Sequence, residues 1–353
     1  MNFEPRNILV IDFGQLGDVI LSLPALGAVR HRFPRARVTV AVGGAAAAVV
    51  EMAGVADGAL PVDRVALRDG PKHLSVWQIG KLVMDVRRRK FDFVIDLHSL
   101  SETNLLGFLS GAGHRLYARR PGRSLDYLAN FRPAPPAEDR SKHAIDRYLD
   151  VVAPLGVGEV SRVPRLAARE EDGRAVEELL RKGTQGGRNW RGREAASGDS
   201  PLVGIFPGAG HPSRRWPIER FAELARMLER NDSVRSVLFA GPEERRLVRD
   251  ARGQFPPSTI ILDKLTVPQL AAAAERVSVF VSNDTGPMHI AAAVGTPVVI
   301  LMQHHPMFNC YIPPGDRHRV VAARSIEEIS TDLAYAAARA AFTTERASSL
   351  FST

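Results

Sequence analysis

Three observations predict an α/β fold with two domains, each built on a parallel sheet. Short apolar runs alternate with helical stretches along most of the 353 residues, the pattern of βαβ units. Strands in both halves end in Gly-containing turns that open helices. A Gly-rich, basic, aperiodic stretch, Gly183 to Ser200, separates the two series and reads as a loop or linker. The length suits two domains, each able to bury its own core.

The elements follow in order. Asn7 to Asp12 is a first apolar strand, and a helix runs to about Phe33, kinked or restarted at Pro24 because proline lacks the N–H of an interior turn. Arg37 to Val42 is a strand ending at Gly43-Gly44, followed by an Ala-rich helix and a short strand near Ala59 to Val62. Trp77 to Arg89 is a helix and Phe91 to Leu97 a buried strand. The second series has strands at Leu202 to Phe206, Ser236 to Ala240 and Ile260 to Leu262. Its helices are Pro217 to Glu229, Glu243 to Arg252 and Val267 to Glu275. Ile326 to Phe342 is a last helix, with a frayed tail after Thr343. Domains are therefore expected at 1–182 and 201–325, joined by 183–200 and followed by 326–353.

Hydrophobic residues at 45% and charged residues at 24% are globular values. The net charge of +8 favours an anionic partner, although Arg far outnumbers Lys, which a genome bias would also produce. Cys310 is the single cysteine, so no internal disulfide forms and a reducing compartment fits. No secretory leader and no run of about 18 apolar residues occurs. The expectation is a cytoplasmic protein whose membrane contact, if any, is peripheral.

The most informative stretch is Val279 to Leu301: buried strand, polar turn, helix, Gly-Thr-Pro turn, buried strand. Asn283, Asp284 and Thr285 can cap the helix, Pro287 suits its first turn, and Gly286 lets a ligand approach the backbone. Free N–H groups and the helix dipole make this an anion site, with phosphate as the expected guest. Gly14-Gln15-Leu16-Gly17-Asp18 follows the first strand. It is neither G-x-G-x-x-G nor a P-loop. Asp18 there either caps the helix or accepts a proton from a substrate hydroxyl. Gly208-Ala-Gly210 and Arg214-Arg215 follow the first strand of the second half, and guanidinium forks suit a diphosphate. Glu243 and Glu244 sit where ribose hydroxyls are often held, or simply favour a helix start. His98 either contacts an acceptor or is structural, and adjacent His304-His305 lacks the companions of a metal site. Arg115, Arg119, Arg120, Arg123 and Arg132 make a basic stretch, either a docking face or solvated surface.

These segments together resemble glycosyltransferase family 9, the bacterial lipopolysaccharide heptosyltransferases. Four carry the resemblance in order: Ile8 to Leu26, Asp96-Leu97-His98, Pro207 through Phe221, and Asp284 to His289 through Gly295-Thr296-Pro297. The resemblance implies a GT-B fold of two Rossmann-like domains facing across a cleft, with the final helix crossing back to the first domain. It implies inverting, metal-independent transfer of heptose from ADP-heptose to the lipopolysaccharide inner core, with no cofactor. Asp18 matches the catalytic aspartate. Arg214 falls where many members carry Lys. Gly208, Arg214, Arg215, Glu243, Glu244, Asp284, Thr285, Gly286 and His289 fall on the donor side. Gly14, Gln15, His98, Arg119 and Arg120 fall on the acceptor side. The partners implied are a nucleotide-sugar donor and an anionic glycolipid acceptor, without nucleic acid, at the cytoplasmic face of the inner membrane. Where members end the strand after Gly-Thr-Pro in Gly-Pro-Thr, this chain runs into Gln303-His304-His305-Pro306, which leaves the sugar open. Other readings are a family-9 transferase with another nucleotide sugar, a GT-B-shaped epimerase, and a non-catalytic nucleotide-sugar or polyanion binder.

Overall fold

The computed structural model describes residues 3–63, 72–185, 201–305 and 307–350. The chain divides into two compact units. The first comprises residues up to Pro164 together with Asn309–Ile312, and the second comprises Arg165–Phe308 and Pro313 onward.

In the first unit, strands β1 (Asn7–Asp12), β2 (Arg37–Gly43), β3 (Gly58–Val62), β4 (Phe93–Asp96) and β5 (His114–Tyr117) form one parallel sheet in the order β3-β2-β1-β4-β5. Central β1 is buried from Ile8 to Asp12, as a parallel strand covered on both faces must be. Helices α1 (Leu16–Arg32), α2 (Gly44–Ala53), α3 (Lys72–Arg88), α4 (Ser101–Leu109) and α5 (Ala144–Val152) accompany the sheet. The helix α1 runs through Pro24 instead of restarting there. Nothing in the sequence reading anticipated α4, β5 or α5.

In the second unit, β6 (Leu202–Phe206), β7 (Arg235–Phe239), β8 (Ile260–Leu262), β9 (Val279–Asn283), β10 (Val298–Gln303) and β11 (Arg319–Ala323) form a parallel sheet in the order β11-β10-β9-β6-β7-β8. Its helices are α6 (Glu170–Gln185), α7 (Ile218–Asp232), α8 (Arg245–Ala251), α9 (Val267–Ala274), α10 (Gly286–Ala293) and α11 (Thr331–Leu350). Counted within each unit, the first sheet reads 3-2-1-4-5 and the second 3-2-1-4-5-6, the doubly wound order. Strand order reverses between β1 and β4 and between β6 and β9. Ligands of open α/β sheets bind at the carboxyl ends of strands at such switch points.

One domain boundary needs correction. The first unit ends at Pro164 and not at 182. Helix α6 packs on α9 and β8 of the second unit, where a Cβ on Gly183 would lie 2.7 Å from Ile260 Cγ2. The last helix is counted with the second unit. It packs on α7, β9, β10 and β11, burying Ala334, Ala338 and Ala341 in the second unit's core. Small residues one helical turn apart let it lie close against that sheet. It continues to Leu350 where a frayed tail was expected. Residues 183–185 belong to α6, and the rest of the Gly183–Ser200 stretch lies outside the described residues.

Candidate functional site

The first unit's switch point is built from the ends of β1 and β4, registered so that Ile11 opposes Asp96. The Asp12 carboxylate, fully buried at the end of β1, accepts a hydrogen bond from Gly14 N at 2.9 Å. That bond folds the turn into α1, whose N-cap is Gln15. Asp18 stands one turn into the helix and its Oδ2 accepts from Gln15 N at 2.8 Å. Capping therefore occurs, and it also fixes the carboxylate at the strand end. Asp18 is half-buried. Burial pushes its pKa up and the Asp12 charge adds to this, against the Gln15 hydrogen bond, His98 and Arg147. A carboxylate moved that way is a better proton acceptor.

Close approach at Gly14 is dictated by the turn itself. A Cβ there would meet Asp18 Cβ at 2.4 Å and Asp12 Oδ1 at 2.9 Å. His98 lies with Nδ1 3.8 Å from Asp12 Oδ1. Its backbone N and that of Ser99 donate to Asp96 Oδ1 at 3.1 and 2.6 Å, and Asn104 Nδ2 donates to Oδ2 at 2.8 Å. Ser99 adopts the left-handed region with φ 46, which bends the chain sharply after β4. Burial pushes the Asp96 carboxyl up to about 7. Arg120 pairs with Glu138 at 3.1 Å, which also pairs with Arg147 at 3.4 Å. Arg119 is exposed. The structure thus brings Gly14, Gln15, Asp18 and His98 together. It ties Arg120 into an ion-pair network and leaves Arg119 on the surface. Arg115 is structural, donating to Leu128 O and Ala112 O. A cavity of about 1000 Å³ borders the turn, lined by Phe13, Gly14 and Gln15 and by aliphatic side chains such as Leu82, Leu105 and Leu106.

The second unit's switch point is built from the loop after β6 and the turn after β9. Asn283 is fully buried and joins them. Its Nδ2 donates to Pro207 O and Gly208 O at 2.9 and 3.0 Å, and its Oδ1 accepts from Trp216 N at 2.9 Å. Trp216 is itself anchored, donating from Nε1 to Ile329 O at 2.9 Å. Arg214 is half exposed, with Nη1 3.8 Å from Asp284 Oδ2. Arg215 donates from Nε and Nη2 to Ala209 O, so it props the loop where a second projecting cation was expected.

Glu243 is exposed, whereas Glu244 is 7% exposed and packs beneath Gly208. A Cβ on Gly208 would approach Glu244 Oε1 to 2.5 Å. Glu244 Oε2 accepts from Gly241 N at 3.2 Å, and burial pushes its carboxyl above the usual range. It supports the loop from behind. Thr285 is the N-cap of α10 with no side-chain capping bond, and Pro287 occupies the first turn. Asp284, Thr285 and Gly286 are partly exposed and His289 is buried. The N-terminus of α10 consequently carries the polarity that suits an anion. Among the described residues no group of three or more His, Cys, Asp or Glu is arranged to hold a metal.

Sequence reasoning missed Asp12, Arg147 and Tyr148, and it gave Asn283 only a capping role. Asp12 offered one signal, a carboxylate closing an otherwise apolar strand.

Residues 79–332 match glycosyltransferase family 9 (heptosyltransferase). The chain belongs to this family. The family-9 chain is 22% identical over 311 residues to the lipopolysaccharide core heptosyltransferase OpsX of Haemophilus influenzae, covering 85% of this chain and 80% of the relative. It superposes on a family 9 glycosyl transferase from Veillonella parvula with a TM-score of 0.82 at 25% identity, over 98% of this chain and 99% of that one. It also superposes on the ADP-heptose lipopolysaccharide heptosyltransferase II of Escherichia coli with a TM-score of 0.76 at 19% identity, over 96% and 99% of the two chains. The protein is a glycosyltransferase with the GT-B fold of these neighbours. No helix among the described residues is long and apolar enough to cross a membrane.

Proposed function

We propose that this family-9 enzyme transfers heptose from ADP-heptose to the lipopolysaccharide inner core with inversion at the anomeric carbon. The observation that carries the reading is the carboxylate of Asp18, held by Gln15 at the first switch point with its proton affinity raised by burial. The relatives' names support the sugar and the acceptor.

In-line displacement needs a proton acceptor on one side of the anomeric carbon and charge stabilisation on the other. The chain carries the two on separate units. Asp18 removes the acceptor hydroxyl proton as the new glycosidic bond forms. Bond breaking leaves negative charge on ADP, which Arg214 and the α10 N-terminus stabilise more in the transition state than in the ground state. Asn283, Arg215 and Glu244 hold the loop that presents Arg214 and Gly208. Glu243, exposed after β7, is assigned to the ribose hydroxyls. The cavity beside Gly14 and Gln15 receives the acceptor, and His98 contacts it. The reaction needs no metal in this scheme, and the enzyme works at the cytoplasmic face of the inner membrane by peripheral contact.

Purified protein incubated with ADP-heptose and a heptose-deficient lipopolysaccharide tests the reading. Transfer that survives EDTA, with product of inverted configuration, is expected. Absence of both transfer and ADP-heptose binding by calorimetry contradicts it. The end of β10 at Gln303 followed by His304-His305 favours a second reading, a different nucleotide sugar. A donor panel scored by ADP or UDP release separates the two.

A further inference from the structure

The first unit holds a second carboxylate at the same switch point. Asp12 is fully buried, accepts from Gly14 N at 2.9 Å and faces His98 Nδ1 at 3.8 Å. The position of a Cβ on Gly14 lies 2.9 Å from Asp12 Oδ1 and 3.2 Å from Asp18 Cγ. The two carboxyl groups therefore stand within about 6 Å of each other, across a turn with no side chain between them. A turn of this kind is held equally well by an asparagine, whose side-chain oxygen accepts the same bond. A carboxylate adds only charge, and burying that charge is costly unless it is compensated.

We propose that Asp12 is a positioning residue for glycosyl transfer: it fixes the turn that presents Asp18 and sets a buried negative charge beside it, which makes Asp18 the stronger proton acceptor. The inference rests on Asp18 being the base, as read above. His98 is its counterweight. Protonated, the imidazole compensates Asp12 and opposes its effect on Asp18. The other groups facing this carboxylate come from α5, which packs on α1. Arg147 favours the charged form of Asp18, and Tyr148 is buried with its hydroxyl pushed well above the usual range by burial and by both aspartates. Arg120, after β5, opposes that rise in Tyr148. Like charge at this distance raises the proton affinity of Asp18 and opposite charge lowers it. The two substitutions Asp12→Asn and His98→Gln therefore carry opposite signs.

The test is the acid limb of kcat against pH for the full-length enzyme. The limb reports protonation of the base in the bound complex. Asp12→Asn is expected to move the limb down by about half a pH unit or more, since even water-like screening leaves that much at about 6 Å. The plateau kcat falls several-fold as the base weakens, while donor affinity by calorimetry stays unchanged. His98→Gln moves the limb up. A purely structural role for Asp12 lowers kcat without moving the limb, and that result overturns the proposal. Should Asp12→Asn not fold, Asp12→Ser, whose hydroxyl oxygen can still accept from Gly14 N, takes its place, and an unmoved limb there overturns the proposal. Asp18→Asn is run alongside: turnover retained there removes the base assignment itself, an outcome distinct from an unmoved limb.

Discussion

Replacing Gly14 by alanine tests whether the turn, and not merely the presence of Asp18, determines turnover. The added Cβ would stand 2.4 Å from Asp18 Cβ, 2.9 Å from Asp12 Oδ1 and 3.2 Å from Asp18 Cγ. Ordinary contact begins near 3.4 Å, so Asp18 must retreat by about 1 Å or the first turn of α1 must shift with it. Both neighbours are short side chains fixed by hydrogen bonds to this same turn, so neither yields cheaply. Overpacking of this size costs about 1–3 kcal/mol of stability. Displacing a reacting group by about 1 Å costs on the order of 10²-fold in rate. The expected Gly14→Ala enzyme is folded, melts a few degrees lower and has kcat reduced roughly 100-fold. Its donor Kd stays within about 3-fold, because Gly14 belongs to the first unit and the donor groups Arg214, Thr285 and Gly286 to the second. Steady-state ADP release and calorimetry with ADP-heptose measure the two quantities. A kcat within about 3-fold of the parent in a folded variant refutes the geometric reasoning.

Asn283→Ala strands Pro207 O, Gly208 O and Trp216 N, so urea unfolding should show a loss of roughly 2–5 kcal/mol together with weaker donor binding. Arg214→Ala should lower kcat/KM by roughly 10- to 100-fold through lost charge-assisted contact with the diphosphate, with Arg214→Lys recovering part of it in the same ADP-release assay. Asp96, whose folded value near 7 lies above the ordinary 3.8, stays protonated in the fold while the unfolded chain ionises. Its contribution is complete below pH 4 and is lost as pH rises through 7, at most roughly 4 kcal/mol. Asp96→Asn should flatten that fall in chemical-denaturation stability between pH 4 and 8, and an unchanged slope counts against it.

The strands were legible because strands covered on both faces read as apolar runs. Asn7 to Asp12 and Leu202 to Phe206 could be bounded to the residue. Helix α5 was readable in principle, since Ile145, Tyr148, Val151 and Val152 repeat at helical spacing and are buried. Strand β5, His-Arg-Leu-Tyr, offers too short a run to announce itself. The destination of α11 was illegible. Its alanine stripe says that it packs closely, and nothing local says against which sheet. At the site, candidates placed by a local turn could be named from the turn itself: Asp18, Thr285 and Gly286. The pairings made across the sheet could not be read. Asp12 gains its meaning from His98, which β4 brings beside β1. The same holds within the donor loop, where burial separates Glu244 from Glu243 and a hydrogen bond to Ala209 separates Arg215 from Arg214. Adjacent like residues carry no sequence signal for such a difference.

Asp18→Asn keeps the shape of the side chain and the bond from Gln15 N while abolishing its capacity to take a proton. Single-turnover transfer from ADP-heptose, measured beside donor affinity in this variant, addresses the mechanism most directly. A rate at least about 10³-fold below the parent with unaltered ADP-heptose binding is the predicted result, within the span ascribed to general-base catalysis. Turnover within about tenfold of the parent would contradict it, and the proton acceptor would then have to be sought elsewhere in the first unit.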